Sequence, residues 1–148
     1  MILQKREKKT PQAEIKLPGV LVANTGEEEM SCKYLLNRGV AFIQLRNIPV
    51  NSLNHSTRTD MLRCLERADK DKVDAVVLHG EGKSFCAGAD VVEFSRRKHL
   101  LQPTLNEVVA VLDSFHIPTI AGIHGFCLGG GMEVAMACHY RVADKVSR

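Results

Sequence analysis

The sequence predicts an α/β fold. Three short apolar runs, Val40–Leu45, 75–78 and Thr119–Ile123, have the length and composition of buried strands. Segments with apolar residues at helical spacing separate them, and a glycine-bearing loop directly follows the second run and the third.

Taken in order, residues 1–33 are polar, carry Pro11, Pro18 and the acidic run Glu27, Glu28 and Glu29, and keep no sustained period. They are expected to form a mobile extension with one short strand at 19–23, ahead of a folded region over 34–148. Val40–Leu45 is nearly continuous in its apolar character, as in a strand buried on both faces. Pro49, Asn51, Ser52 and Asn54 then supply loop chemistry. Residues 60–69 carry Met61, Leu62, Leu65 and Ala68 at helical spacing, and the strand at 75–78 is closed by Gly80 and Gly82. Leu105, Val108, Val109 and Leu112 follow the i, i+3, i+4, i+7 rule of an amphipathic helix. Pro118 ends that segment, Thr119–Ile123 is the third strand, and a helix from near Gly130 and a strand around Val142 complete the order. No internal repeat and no low-complexity segment is evident.

Composition narrows the function classes. The 148 residues suit one domain, and 45% apolar with 25% charged residues is ordinary for a globular protein. Trp is absent and aromatics are 5%, so the core must be mainly aliphatic. The net charge of +3 is concentrated in Lys5, Arg6, Lys8 and Lys9, against Glu7 alone. That is a basic tail and not a basic face, so neither nucleic acid nor an anionic membrane is expected as partner. No apolar run approaches the roughly 18 residues needed to span a bilayer. Cys32, Cys64, Cys86, Cys127 and Cys138 form no CxxC pair and read as reduced, buried, small hydrophobes. The six histidines show no HExxH spacing and no paired Cys/His set, so no metal site is expected.

The candidate chemistry lies in the two loops, 83–90 (KSFCAGAD) and 124–133 (HGFCLGGGME). Interior glycine costs about 1 kcal/mol relative to Ala in a helix. A run such as Gly129, Gly130 and Gly131 therefore persists where backbone must turn with positive φ or approach something closely. Free N–H groups at such a strand-to-helix turn lie at the positive end of the helix dipole and suit an anion or a developing oxyanion. Tight helix–strand packing alone also explains a glycine run. The second small-residue loop and the carboxylate of Glu133 favour the oxyanion reading.

Segment 85–90 (FCAGAD) resembles the first oxyanion-loop signature of the crotonase, or enoyl-CoA hydratase/isomerase, superfamily, and 125–133 (GFCLGGGME) resembles the second. Segment 49–54 (PVNSLN) is similar to the family's stretch before its first long helix, and 138–143 (CHYRVA) to its stretch after the glycine turn. The four occur in the family's order, and the likeness runs from about residue 38 to the end. In look it is nearest to the hydratase part of multifunctional β-oxidation enzymes, without their dehydrogenase domain.

The resemblance implies a crotonase-like (ClpP/crotonase) spiral of ββα units, with residues 34–148 as its truncated N-terminal portion. It implies that the backbone N–H groups of Ala89 and Gly130 bind a thioester oxygen. Glu133 would be the first of two hydratase carboxylates, activating the water that adds to the β-carbon of a 2-enoyl-CoA. Ser52, Leu53, Ala87, Asp90 and Val91 would border the coenzyme A moiety, and Phe126 would line the acyl pocket. Coenzyme A enters as part of the substrate, with no separate cofactor. A homo-oligomer of trimer type is implied for the full-length relative, in an intracellular setting, peroxisomal or mitochondrial. The family's second carboxylate sits in a Pro-Glu motif further on, and the sequence reaches Arg148 before it. The expectation is a partial chain that hydrates poorly alone. The competing readings are a non-catalytic fragment that binds acyl-CoA or caps a partner, an isomerase, and a hydrolase; Glu133 favours the hydratase. The cluster Arg96, Arg97, Lys98 and His99 reads as a solvated helix end and not as an RNA-binding helix.

Overall fold

The computed structural model describes residues 2–5 and 30–148. The elements are β1 (Ile2–Lys5), β2 (Cys32–Asn37), β3 (Val40–Leu45), α1 (His55–Lys70), β4 (Ala75–Gly80), α2 (Val91–Ser95), a 3-10 turn at Lys98–Leu100, α3 (Leu105–Ser114), β5 (Thr119–Ile123), α4 (Gly130–Ala137) and β6 (Tyr140–Ala143). The strands form one sheet in the order β1-β6-β5-β4-β3-β2. Strands β3 to β6 are mutually parallel, while β2 and β1 run antiparallel at the two edges. Each parallel step carries its helix crossover, as parallel pairing requires.

The third strand from sequence, β5, has the expected bounds, and α3 begins at the expected Leu105. Thr104 and Glu107 close a capping box there, the hydroxyl of Thr104 accepting from Glu107 N and the Glu107 carboxylate accepting from Thr104 N. Helix α1 starts five residues before the expected position. Asn54 caps it, its Oδ1 accepting from Thr57 N at 2.9 Å. Its first turns escaped the periodicity because Thr57, Arg58, Thr59 and Asp60 are polar yet buried.

Strand β2 is a further difference. It pairs with β3 through a two-residue hairpin at Arg38 and Gly39, with φ of 47° and 78°. Positive φ at both turn positions matches the right-handed twist of the flanking strands. Its Leu35 and Leu36 are both exposed, so this edge strand has no clean alternation to read. The expected extension over 1–33 is also revised at both ends: Ile2–Lys5 pairs with β6, and β2 begins at Cys32. The short strand expected at 19–23 lies outside the described residues. Strands β3 and β4 bury alternate residues, so only one face is fully covered, where two had been expected.

That covered face carries Ala41, Ile43, Leu45, Val76, Leu78 and Ala121, all fully buried. Met61 and Leu65 of α1, Val108 and Leu112 of α3, and Val134 of α4 pack in the same core. Among the described residues no helix is long and apolar enough to cross a membrane.

A buried ion pair ties the helices together. Arg58 of α1 donates from Nη1 to Glu93 Oε2 of α2 at 2.9 Å and to Leu53 O at 2.7 Å, and from Nε to Pro103 O at 2.8 Å. The other oxygen of Glu93 accepts from His55 N at 2.7 Å. Burial pushes the Glu93 carboxyl up, but the His55 amide, the Arg58 hydrogen bond and the Arg58 charge outweigh it and hold the group below its usual range.

Substituting Glu93→Gln leaves the Arg58 guanidinium buried and unpaired, and should lower the unfolding free energy by about 3 kcal/mol. A carboxyl held low contributes fully above the ordinary glutamate pKa of about 4.3 and loses that contribution as acid protonates it. Urea titrations of the unaltered chain and the variant should therefore differ most near neutral pH and converge toward acid pH.

Candidate active site

The strands β4 and β5 end side by side, and the two glycine-bearing loops leave from those ends. The parallel pairing continues past the strands as a bridge between Cys86 and Cys127. Cys86 N donates to Phe126 O at 3.1 Å, and Leu128 N donates to Cys86 O at 3.0 Å. Two glycines are set by this closure. Gly129 has φ of 47° and ψ of −123°, a conformation that L side chains rarely adopt. Gly131 packs against Cys86, and a Cβ placed on it would overlap Cys86 O and stand 2.9 Å from Cys86 Cβ.

The loops bring Ala89 and Gly130 together. A Cβ built on Gly130 would stand 3.4 Å from Ala89 N, and one built on Gly88 would stand 3.2 Å from Gly130 N. A residue's own N and Cβ are about 2.5 Å apart, so the two nitrogens lie within roughly 6 Å of each other. Two N–H groups can share one oxygen at about 2.9 Å from each when their nitrogens stand closer than about 5.8 Å, which is the outer end of that bound. Among the described residues neither amide donates a hydrogen bond, while the next amides of α4 are all occupied: Gly131 N by Leu128 O, and Met132 N and Glu133 N by Gly129 O.

Glu133 lies one turn beyond Gly130 on the same side of α4. It is exposed. Met132 and Met136 of the same helix, and Phe126 and Leu128 of the loop before it, are exposed as well. Among the remaining predicted contacts, Val91 is highly exposed, while Ser52, Ala87 and Asp90 are half-buried. Asp90 starts α2, its Oδ1 accepting from Val92 N at 2.9 Å. Ala87 N is engaged by Val50 O. Leu53 differs from expectation. Its side chain is fully buried, its N–H donates to Gly88 O at 2.8 Å and its C=O accepts from Arg58. It supports the loop from beneath and leaves no group free for coenzyme A.

Sequence reasoning missed the supports. Asn47 holds Ser52 by donating from Nδ2 to its O at 2.7 Å and to its Oγ at 2.9 Å. Fully buried Asn51 donates from Nδ2 to Glu81 O and Ser84 O, holding the start of the first loop. The cluster of Asn47, Asn51 and Asn54 flanking Pro49 is the signal that could have found them. Leu105 stands over Gly130, its Cδ2 2.7 Å from where a Cβ would be. The basic run is split as expected of solvated residues: Arg96 and Arg97 are exposed between α2 and the 3-10 turn.

All five cysteines are buried and unpaired by disulfide. Burial pushes the Cys86 thiol up to about 12 and the Cys127 thiol up to about 11. Among the described residues no group of three His, Cys, Asp or Glu side chains is arranged to hold a metal ion.

The family model described as enoyl-CoA hydratase/isomerase matches residues 36–148. A peroxisomal bifunctional enzyme of Danio rerio is 43% identical over 115 residues, which are 77% of this chain and 16% of that protein. A probable enoyl-CoA hydratase of Bacillus subtilis is 40% identical over 110 residues, 70% of this chain and 43% of that one. A crystal structure of an enoyl-CoA hydratase/isomerase family member superposes with a TM-score of 0.70 at 28% identity, covering 78% of this chain and 48% of the other. The chain thus spans less than half the length of each of these three relatives.

Gly131→Ala should destabilise the chain by about 2 kcal/mol through overpacking on Cys86, read as a lowered urea midpoint. The native thiols should resist an aromatic disulfide reagent at pH 8 and react together once the chain is unfolded.

Proposed function

We propose that this chain, which belongs to the enoyl-CoA hydratase/isomerase family, supplies the oxyanion half of a site that hydrates a 2-enoyl-CoA thioester. The observation that supports the reading is the pair of unoccupied amides, Ala89 N and Gly130 N, brought near one another on loops from adjacent parallel strands.

Addition of water to an α,β-unsaturated thioester places negative charge on the carbonyl oxygen. Two neutral donors aimed at that oxygen stabilise it without ionising, and removing one such donor typically costs on the order of 3 kcal/mol in the transition state. Both peptide units are braced for this. Gly88 O, on the same peptide as Ala89 N, accepts from Leu53 N, and Gly129 O, on the same peptide as Gly130 N, accepts from Met132 N and Glu133 N. Glu133 would take the proton of the attacking water, leaving hydroxide to bond to the β-carbon. A second acid must then deliver a proton to the α-carbon. Ser52, Ala87, Asp90 and Val91 would flank coenzyme A, and Phe126 with Leu128 and Met132 would border the acyl chain.

The hydratase is favoured over the isomerase by Glu133 on the first turn of α4. A β-oxidation role is supported by relatives named as a probable enoyl-CoA hydratase, peroxisomal bifunctional enzymes and a fatty acid oxidation complex subunit. The peroxisomal names favour that compartment over the mitochondrion. A trimer-type homo-oligomer is the assembly proposed for the whole protein.

No Pro-Glu pair occurs within the 148 residues. Residues 1–148 expressed alone should therefore bind crotonyl-CoA yet hydrate it slowly, since a positioned acid or base is worth roughly 10²- to 10⁴-fold. Loss of the enoyl absorbance should be slow, and Glu133→Gln should abolish what remains. Fast turnover that Glu133→Gln leaves unchanged would overturn the assignment.

A further inference from the structure

We infer that Asn47 is a positioning residue whose side-chain amide orients and polarises the Ala89 N–H through two intervening peptide groups. The consequence for catalysis rests on the reading of Ala89 N as an oxyanion donor; the relay itself rests on hydrogen bonds alone.

The path starts at Asn47 Nδ2, which donates to Ser52 O at 2.7 Å. Ser52 O and Leu53 N belong to one peptide group. Leu53 N donates to Gly88 O at 2.8 Å. Gly88 O and Ala89 N belong to the next peptide group. The only cis peptide bonds among the described residues precede Pro49 and Pro103, so both linking groups are trans. In a trans peptide the C=O and N–H point in opposite directions. Pulling Gly88 O toward Leu53 therefore aims Ala89 N–H the other way, away from Leu53.

The alignment does more than aim. Each link is a C=O that accepts while the N–H of the same unit donates, so the dipoles run head to tail. Chains of this kind strengthen each member by roughly 10–30% per bond. Asn47 is well placed to head the chain. A side-chain amide donates without carrying charge, and the same Nδ2 also binds Ser52 Oγ at 2.9 Å. Asn47 O in turn accepts from Asn51 N at 2.7 Å, and Asn51 secures Glu81 O and Ser84 O at the root of the first loop. The segment that aims Ala89 is thus fixed at its own origin to the loop it aims.

Gly130 N is braced separately, through Gly129 O and the amides of α4. A change at Asn47 should reach one donor and leave the other.

The test uses the 148-residue chain labelled with nitrogen-15 and carbon-13. In the unaltered chain, scalar coupling should be seen across the bond between Leu53 N–H and Gly88 C=O; its absence overturns the relay without any variant. Asn47→Asp keeps the size of the side chain and replaces its donor by a charged acceptor, so Asn47→Ala, which removes the donor without adding charge, is read beside it. Both should move the Leu53 and Ala89 amide protons upfield and leave that of Gly130 in place. If Asn47→Asp does not fold, Asn47→Ala alone makes the comparison. An Ala89 proton that does not move, or Ala89 and Gly130 protons that move alike, overturns the inference. Crotonyl-CoA labelled with carbon-13 at the thioester carbonyl then reads the consequence. Its carbonyl stretch should fall on binding, and Asn47→Asp should reverse a minor part of that fall. A stretch that does not fall in the unaltered chain overturns the oxyanion reading itself, whereas a fall that Asn47→Asp leaves whole overturns the polarising role of Asn47.

Discussion

The closure of two loops at Cys86 is the constraint on which the candidate site depends. Two backbone hydrogen bonds, Cys86 N to Phe126 O and Leu128 N to Cys86 O, extend the parallel pairing of β4 and β5 beyond the strands themselves. Helix α4 must then begin directly against Cys86, which leaves no room for a side chain at Gly131. The approach draws Gly88 and Gly130 into van der Waals range, and their flanking amides come with them. Any larger residue at this junction would separate the loops. The separation of Ala89 N and Gly130 N is thus a packing result, fixed before any ligand is considered.

The buried pair of Arg58 and Glu93 supplies the complementary support from the helical side. Burying two charges is expensive, and such a pair is weak evidence of net stability unless the remaining donors and acceptors are met. Here they are well met: the guanidinium also reaches Leu53 O, Pro103 O and Lys98 O, while the carboxylate also receives His55 N. The pair organises irregular backbone on both sides of α2. Leu53 lies where this network meets the first loop, which explains why its side chain is fully enclosed although its segment is expected to border coenzyme A.

Much of the frame was legible because it is written in apolar period. β5, the face of α3 and the two glycine loops each follow from a local pattern that tertiary context does not alter. The misses share a physical cause. The start of α1 holds buried polar residues, and the partners of Arg58 (Glu93 and Pro103 among them) lie far outside any helical window. Strand β2 is an edge strand with exposed leucines, and only the positive-φ turn at Arg38 and Gly39 marks it. Asn47 acts through the carbonyl of Ser52 within an irregular loop, and Arg58 through carbonyls as far off as that of Pro103; no helix or strand period records either. The burial of Leu53 likewise depends on Gly88 and Gly130, which come near only in the folded chain.

A site built on main-chain donors is recorded in sequence only at second hand. Ala89 and Gly130 would offer N–H groups, which every residue but proline possesses, so nothing in their own identity announces the role. What the sequence must specify is the backbone path that delivers them. Gly129 is required by its positive φ, Gly131 by contact with Cys86, and Gly130 by the nearness of Leu105 and Leu53. Three adjacent glycines thus answer three separate constraints. The carboxylate of Glu133 is a different case, since its chemistry is its own and its place on the first turn of α4 is set directly by where the glycines end. On the proposed reading, backbone would supply the charge-stabilising half and a side chain the proton-moving half. The first is protected by packing, while the second stands exposed on α4, on which Met132 and Met136 are exposed too, as are Phe126 and Leu128 in the loop before it. Their apolar surfaces would lower the local dielectric around a bound thioester, and in such surroundings two neutral donors are worth more than they are in water.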